Sequence, residues 1–275
     1  MRLWLMLAVL LVTPGLQAQD SSTGQAQQNP TSPIWIGQDA ALEEYLRTAE
    51  IERTTRTSVG VLGPLHAFFK AGGLVAGAAV KKISPGKRDG FFESYKSEIA
   101  SYKLDRLLEL NMVPTTVERR YEGEMASVQV WIVNTRMLSD VLKLKLSDPN
   151  VHRWNQNLHR KEVFDNLVGD VDPNQGNWLF DAAWNFYKID CSRCFTDTLK
   201  MTHDVKNTIK RIDRPFFERL KALDQDTVRR EIGSLLTENN AVPSLFRRRD
   251  FIVKEFEELA KRNGEAAIFE TWHAQ

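Results

Sequence analysis

After residue 12 the sequence has no long hydrophobic run. A helix that crosses a bilayer needs about 20 consecutive apolar residues, so stable membrane insertion of the mature protein is not expected. Cysteine is nearly missing: Cys191 and Cys194 form a single C-x-x-C. That excludes a small disulfide-dense scaffold and leaves a zinc site two ligands short. An excess of charge is also missing, with 37 Lys and Arg against 36 Asp and Glu, so electrostatics give no case for nucleic acid as the main partner. The basic run Arg247 to Arg249 is followed by Asp250, Glu255, Glu257 and Glu258 and reads as a solvated helix face. His66, His152, His159, His203 and His273 lack metal-ligand spacing, and no segment repeats.

What is there begins with a positive residue, Arg2, and an apolar run from Leu3 to Val12, broken by Pro14 and Gly15. With Ala18 as a small residue before a cut, residues 1–18 read as a secretory signal peptide. The expectation is an exported chain, periplasmic, secreted or in a secretory lumen. No cysteine near the cut offers a lipid anchor. Residues 19–33 are rich in Gln, Ser and Pro and cannot bury a core, so a flexible polar linker is expected over 19–40.

From Arg53 to Ile83 the pattern is β-like, with turns at Gly60 to Pro64 and at Ala71 to Gly73. It predicts a three-stranded meander, then a charged loop at Lys87 to Asp89. Apolar residues at helical spacing predict a helix over 92–110 that ends at Asn111 and Pro114. Within it, Glu98 has Tyr95 and Tyr102 as its i−3 and i+4 neighbours and borders the buried stripe, where a carboxylate needs a partner. Strands are predicted over 117–120 and 127–133, and a helix over 154–168. Two short strands follow, 178–180 and 186–189, with helices at 214–223, 227–236 and 244–262. The order is β-rich with one helix, then α-rich with a small hairpin.

The polar residues gather on that hairpin. Gly169 to Asn177 is dense in turn formers and acids and contains D-x-x-x-x-N as Asp172 to Asn177. Asp190 ends an apolar strand thirteen residues after Asn177, and a hairpin of that length returns its far end beside its start. Phosphoryl transfer from a nucleotide asks for such groups: an acid to take the nucleophile's proton, oxygen ligands for divalent ions, a lysine for phosphate charge and a carboxylate to hold it. Taken singly, each has a plainer reading. Asp172 and Asn177 also suit a turn, Asp170 is a rival acid, Glu98 could pair with Lys103 or Arg106, and Lys81 with Lys82 could guard an edge strand. Their order along the chain favours the chemical reading.

The segment LVGDVDPNQGNWLFDAAWNFYKIDCSRCF resembles the catalytic hairpin of atypical kinases: the phosphatidylinositol-kinase-like, HipA-like and secretory-pathway families. It is most similar to bacterial exported kinase-like proteins that carry D-R-N-x-G-N and I-D-H-S-R-A-F. YKSEIASYKLDRLLELNMVPTTVER resembles their αC helix and next strand, and SVQVWIV their hinge strand. The resemblance runs from about Thr57 to Phe195 and weakens through SLFRRRDFIV.

It implies an α+β, two-lobed protein-kinase-like fold, with an N-lobe over 41–133 and a C-lobe over 134–275. It also implies an ATP-dependent kinase using Mg2+ or Mn2+ and an unknown hydroxyl acceptor, protein or small molecule. By resemblance, Asp172 is the catalytic acid/base, Asn177 and Asp190 are metal ligands, and Glu98 is the αC carboxylate paired with Lys81. Lys82 takes that place if the register slips by one. Ala79, Gln129, Val130, Trp131 and Ile132 would flank the adenine, and Gly60 and Gly63 would cover the phosphates. Pro173 stands where arginine is common and Cys191 where histidine is usual. These departures leave open a second reading, a non-catalytic nucleotide-binding or scaffold module. A third is thiol redox chemistry at Cys191 and Cys194, which would need a strand before and a helix starting at the first cysteine.

Overall fold

In a computed structural model, which describes residues 33–57, 64–204, 210–238 and 240–272, the chain joins its fold at Trp35. This side chain is buried, its ring meets Tyr187 edge to face at 5.3 Å, and its Nε1 donates to the Asn111 carbonyl. Helix α1 (Asp39–Thr48) follows and buries Leu42 and Leu46, one turn apart. Of the stretch 19–40 expected as a linker, residues 33–40 are described: Pro33 and Trp35 are buried, Ile36 is exposed, and α1 begins at Asp39. Burial of the Trp35 ring offsets part of the entropy of ordering this stretch. Residues 1–32, with the expected signal peptide, lie outside the described residues.

The meander forms as predicted: β1 (Ile51–Arg56), β2 (Leu65–Phe69) and β3 (Gly77–Lys81) run antiparallel. Next in the chain, β4 (Gly86–Arg88) and β5 (Phe91–Glu93) pair in a small hairpin where a loop was expected. Asp89 and Gly90 both take positive φ, 49° and 85°, and Asp-Gly is a strong two-residue hairpin turn. Helix α2 (Tyr95–Leu107) consequently starts later than expected, capped by Ser94, whose Oγ accepts from the Lys96 amide. Strands β6 (Thr116–Tyr121) and β7 (Glu124–Val130) complete a five-stranded sheet ordered β1-β2-β3-β7-β6. Its core joins Leu42, Leu46, Ala78, Val80, Val117 and Val128. Helix α2 packs on β6 and β7, and Arg106 near its end ion-pairs with Asp39 of α1.

Beyond Val130 come β8 (Arg136–Met137), α3 (Leu138–Lys143) and α4 (Val151–Val168), then the hairpin of β9 (Trp178–Phe180) and β10 (Phe186–Lys188). The two-residue strand β11 (Ile212–Asp213) leads into α5 (Arg214–Ala222), α6 (Gln225–Ile232) and α7 (Ala241–Asn263). The short α8 (Glu265–Ile268) precedes β12 (Phe269–Glu270), which pairs with β11 in parallel. These helices share a second core around Phe164, Leu167, Phe216, Phe256 and Trp178, which also takes in Ala100 and Leu104 of α2. Helix α2 thus belongs to both halves. So does the β9–β10 hairpin, since Tyr187 lies in the first core while Trp178, Phe180 and Phe186 lie in the second.

Candidate functional site

Strand β3 has its apolar face set by Ala78 and Val80, both buried against the sheet core. Period-two alternation turns Ala79 and Lys81 to the other face. Lys81 Nζ donates to Glu98 Oε1 at 2.6 Å and to Asp190 Oδ1 at 2.8 Å. Lys82 faces away and pairs with Glu122 and Glu124 on the surface, so the register does not slip. Glu98 is 2% exposed, and its second oxygen accepts from the Cys191 amide at 3.0 Å. Neither Lys103 nor Arg106 is its partner.

These contacts set the protonation states. Burial pushes Glu98 above the usual carboxylate range, against the opposing pull of Lys81. Burial would also raise Asp190, but the Lys81 ammonium, its hydrogen bond and Lys188 hold it below that range. Lys81 itself, although buried, is raised by the two carboxylates.

The acidic loop starts where α4 stops. Gly169 ends that helix with φ 60° and ψ 48°, and a Cβ there would lie 2.7 Å from the buried Arg248 guanidinium. Asp170 then accepts from the Asp172 amide and from Lys188 Nζ. Lys188 also lies 3.4 Å from Asp165, which is bonded to Lys161 and His203. Asp165, although fully buried, is held down to about 2 by Lys188, His203 and Lys161. The rival acid Asp170 is therefore consumed in structure, while Asp172, 47% exposed, faces the solvent side.

A 3-10 turn at Gln175–Asn177 leads into β9. The hairpin returns Asp190 beside Asn177: Trp178 pairs with Lys188, and the Ile189 amide donates to the Asn177 carbonyl at 2.8 Å. Asn177 Nδ2 donates to the carbonyls of Asp172 and Asp190, at 3.2 and 3.5 Å.

Lys81, Asp172, Asn177 and Asp190 share one cleft of about 1660 Å³, lined also by Ala79, Gln129, Val130, Trp131 and Ile132. The His66 ring stacks on Trp131 with centroids 3.8 Å apart, walling the end near Ala79. Gln129 pairs with Ala79 across the sheet, and its amide is used up on Thr116. Gly60 and Gly63, expected to cover phosphates, lie outside the described residues.

The donor set fits a hard divalent ion. Asp190 spends Oδ1 on Lys81 and Ser192, and Asn177 spends its amide nitrogen, so each retains an oxygen with no partner among the described residues. Carboxylate and amide oxygens are what Mg2+ and Mn2+ take.

Some contributors escaped the sequence reading. Arg193 donates to both Glu93 and Asp172. Lys188, expected only as part of a strand, is a fully buried cation. Arg193 lies inside the I-D-C-S-R-C-F segment, so the motif held the signal; Glu93 left none. Cys191 and Cys194 are both buried and joined in a disulfide, which makes them local structure beside Asp190.

No family model and no curated protein matches the chain. Solved structures do. The chain is similar to the Golgi casein kinase with Mn/ADP bound, with TM-score 0.61 and 15% identity over 84% of this chain and 78% of that one. A second structure of the Golgi casein kinase gives 0.61 and 16%, over 84% and 77%. The structure of hydra Fam20 with sugar gives 0.63 and 13%, over 84% and 92%. What is shared at these identities is the path of the backbone: the chain has an atypical kinase-like fold, two lobes with the Lys81–Glu98–Asp190 contact between them.

Proposed function

We propose that the chain is an exported phosphotransferase that moves the γ-phosphoryl group of ATP to a hydroxyl of a protein or small-molecule acceptor. The observation that carries this reading is Lys81, bonded at once to a helix carboxylate and to the acid at the far end of the hairpin. A lysine so placed stays protonated and rigid, which suits it to phosphate oxygens.

In this reading Glu98 holds Lys81, and Ala79, carrying only a methyl group, leaves room for the adenine beside Trp131. Asp172 takes the acceptor's hydroxyl proton on the carboxylate oxygen that Arg193 leaves free. The acceptor oxygen then bonds to the γ-phosphorus. The bond from that phosphorus to the β–γ bridging oxygen breaks, and its electron pair leaves with ADP. Asn177 and Asp190 would hold Mg2+ or Mn2+, which supplies neutralising charge at the phosphates when bound.

The test is incubation of residues 19–275 with labelled ATP and Mg2+ or Mn2+, beside Asp190→Ala and Asp172→Ala. Label transfer or phosphate release by the native chain, lost in both variants, is expected. Equal turnover by Asp190→Ala would sink the metal role. Nucleotide-dependent stabilisation without any turnover would instead make the chain a nucleotide-binding scaffold, the reading that Pro173 favours. Export rests on the pattern of residues 1–18; a protein recovered outside the cytoplasm should begin at Gln19, and one retaining Met1 would contradict it.

A further inference from the structure

Arg193 stands three residues after Asp190, and its guanidinium is shared between two carboxylates. Nε and Nη2 both meet Glu93 Oε1 at 2.6 Å, and Nη1 donates to Asp172 Oδ2 at 3.2 Å. Its Cζ lies 4.7 Å from the centre of the Phe91 ring. Glu93 is buried at the end of β5, whereas Asp172 is half exposed in the loop after α4. The arginine is thus a brace from the β4–β5 hairpin to the acidic loop.

Its own backbone is held from both sides. The Ser94 amide donates to the Ser192 carbonyl at 3.0 Å, and the Val171 amide reaches the Arg193 carbonyl at 3.5 Å. The Cys191–Cys194 disulfide closes a ring around Ser192 and Arg193. The loop over 169–177 contains no cation of its own. A lone aspartate that exposed would sample several rotamers. A guanidinium N–H on one of its oxygens narrows those rotamers and leaves the other oxygen free.

We propose that Arg193, oriented by Glu93, is the positioning residue of Asp172, holding one carboxylate oxygen so that the other is aimed for proton transfer. This rests on the phosphotransferase reading for its catalytic consequence but not for its structural one. Arg193 acts through Asp172 and makes no hydrogen bond to Lys81, Glu98 or Asp190 among the described residues.

The experiment compares the native chain with Arg193→Ala, Arg193→Lys and Glu93→Gln. Steady-state turnover of Mg-ATP, with water as acceptor, is read beside amide hydrogen exchange of residues 171–177. A misplaced catalytic group costs about ten- to a hundredfold, so kcat should fall by that much in Arg193→Ala. KM for ATP should stay within about twofold, with little recovery in Arg193→Lys and an intermediate loss in Glu93→Gln. Exchange over 171–177 should quicken in Arg193→Ala and stay native within α4. A kcat within about twofold of native, or a loss confined to KM, would overturn the proposal, as would unchanged exchange at 171–177. If Arg193→Ala does not fold, Glu93→Gln keeps the side chain's shape and decides on the same readouts. If the native chain turns over no ATP, the phosphotransferase reading falls, and the exchange measurement alone decides whether Arg193 positions the loop.

Discussion

Lys81 has two acidic partners, and losing the lysine strands them differently. Glu98 is 3% exposed at its side chain and Asp190 41%, so water can replace the cation only at Asp190. Breaking a buried pair from one side costs about 3–5 kcal/mol. Lys81→Met should therefore lower urea-unfolding stability by roughly that amount, whereas Asp190→Asn should cost about 1 kcal/mol as a half-solvated partner. Asp165 carries a pH prediction. Its carboxyl falls from 3.8 to about 2, and a depressed acid stabilises the fold above its unfolded value and loses that contribution as pH falls through the folded one. The shift corresponds to about 2 kcal/mol. The stability difference between the native chain and Asp165→Asn should thus be largest above pH ~4 and shrink toward pH ~2; a difference independent of pH would contradict the assignment.

Helix α4 and the loop after it show how an element ends on a purpose. Gly169 takes a left-handed conformation against Arg248, whose guanidinium donates to the carbonyls of Leu167, Thr196 and Thr198. Gly169→Ala would strain the backbone and press a methyl on a buried cation, so a loss of about 2–3 kcal/mol is expected from thermal unfolding. The disulfide beside Asp190 closes a small ring, for which the chain-entropy estimate is about 2 kcal/mol. Reduction should lower the melting temperature accordingly and raise hydrogen exchange at 190–194, leaving β1 to β3 unchanged. At this scale the long elements were legible: α4, α7 and the meander carry enough residues for their periods to register. The β4–β5 hairpin was not, because Gly86-Lys87-Arg88 carries no apolar residue to mark a strand. Asp89-Gly90 was the readable clue, and the charges around it masked it.

Across the whole molecule, two cores meet along α2 and the β9–β10 hairpin, with the cleft opening between them. A ligand gripped by Lys81 above and Asn177 with Asp190 below would tie the halves together. ADP with Mn2+ at a hundred times its dissociation constant should stabilise the chain by about 2.7 kcal/mol. The shift should be absent in Lys81→Ala; an equal shift in that variant would place the nucleotide elsewhere.

From the sequence alone came the order strand lysine, helix glutamate, loop D-x-x-x-x-N and strand-end aspartate, because strand, helix and hairpin periods are local properties of the chain, while Lys82 and Asp170 still stood as rivals. The tertiary structure decided the rest. It chose Lys81 over Lys82, since packing of Ala78 and Val80 selects the face of β3. It consumed Asp170 in a buried ion pair with Lys188, and it brought Glu93 to Arg193 across 100 residues. Neither pairing has a spacing rule, because a contact between distant segments is set by how two cores close on each other and not by any period along the chain.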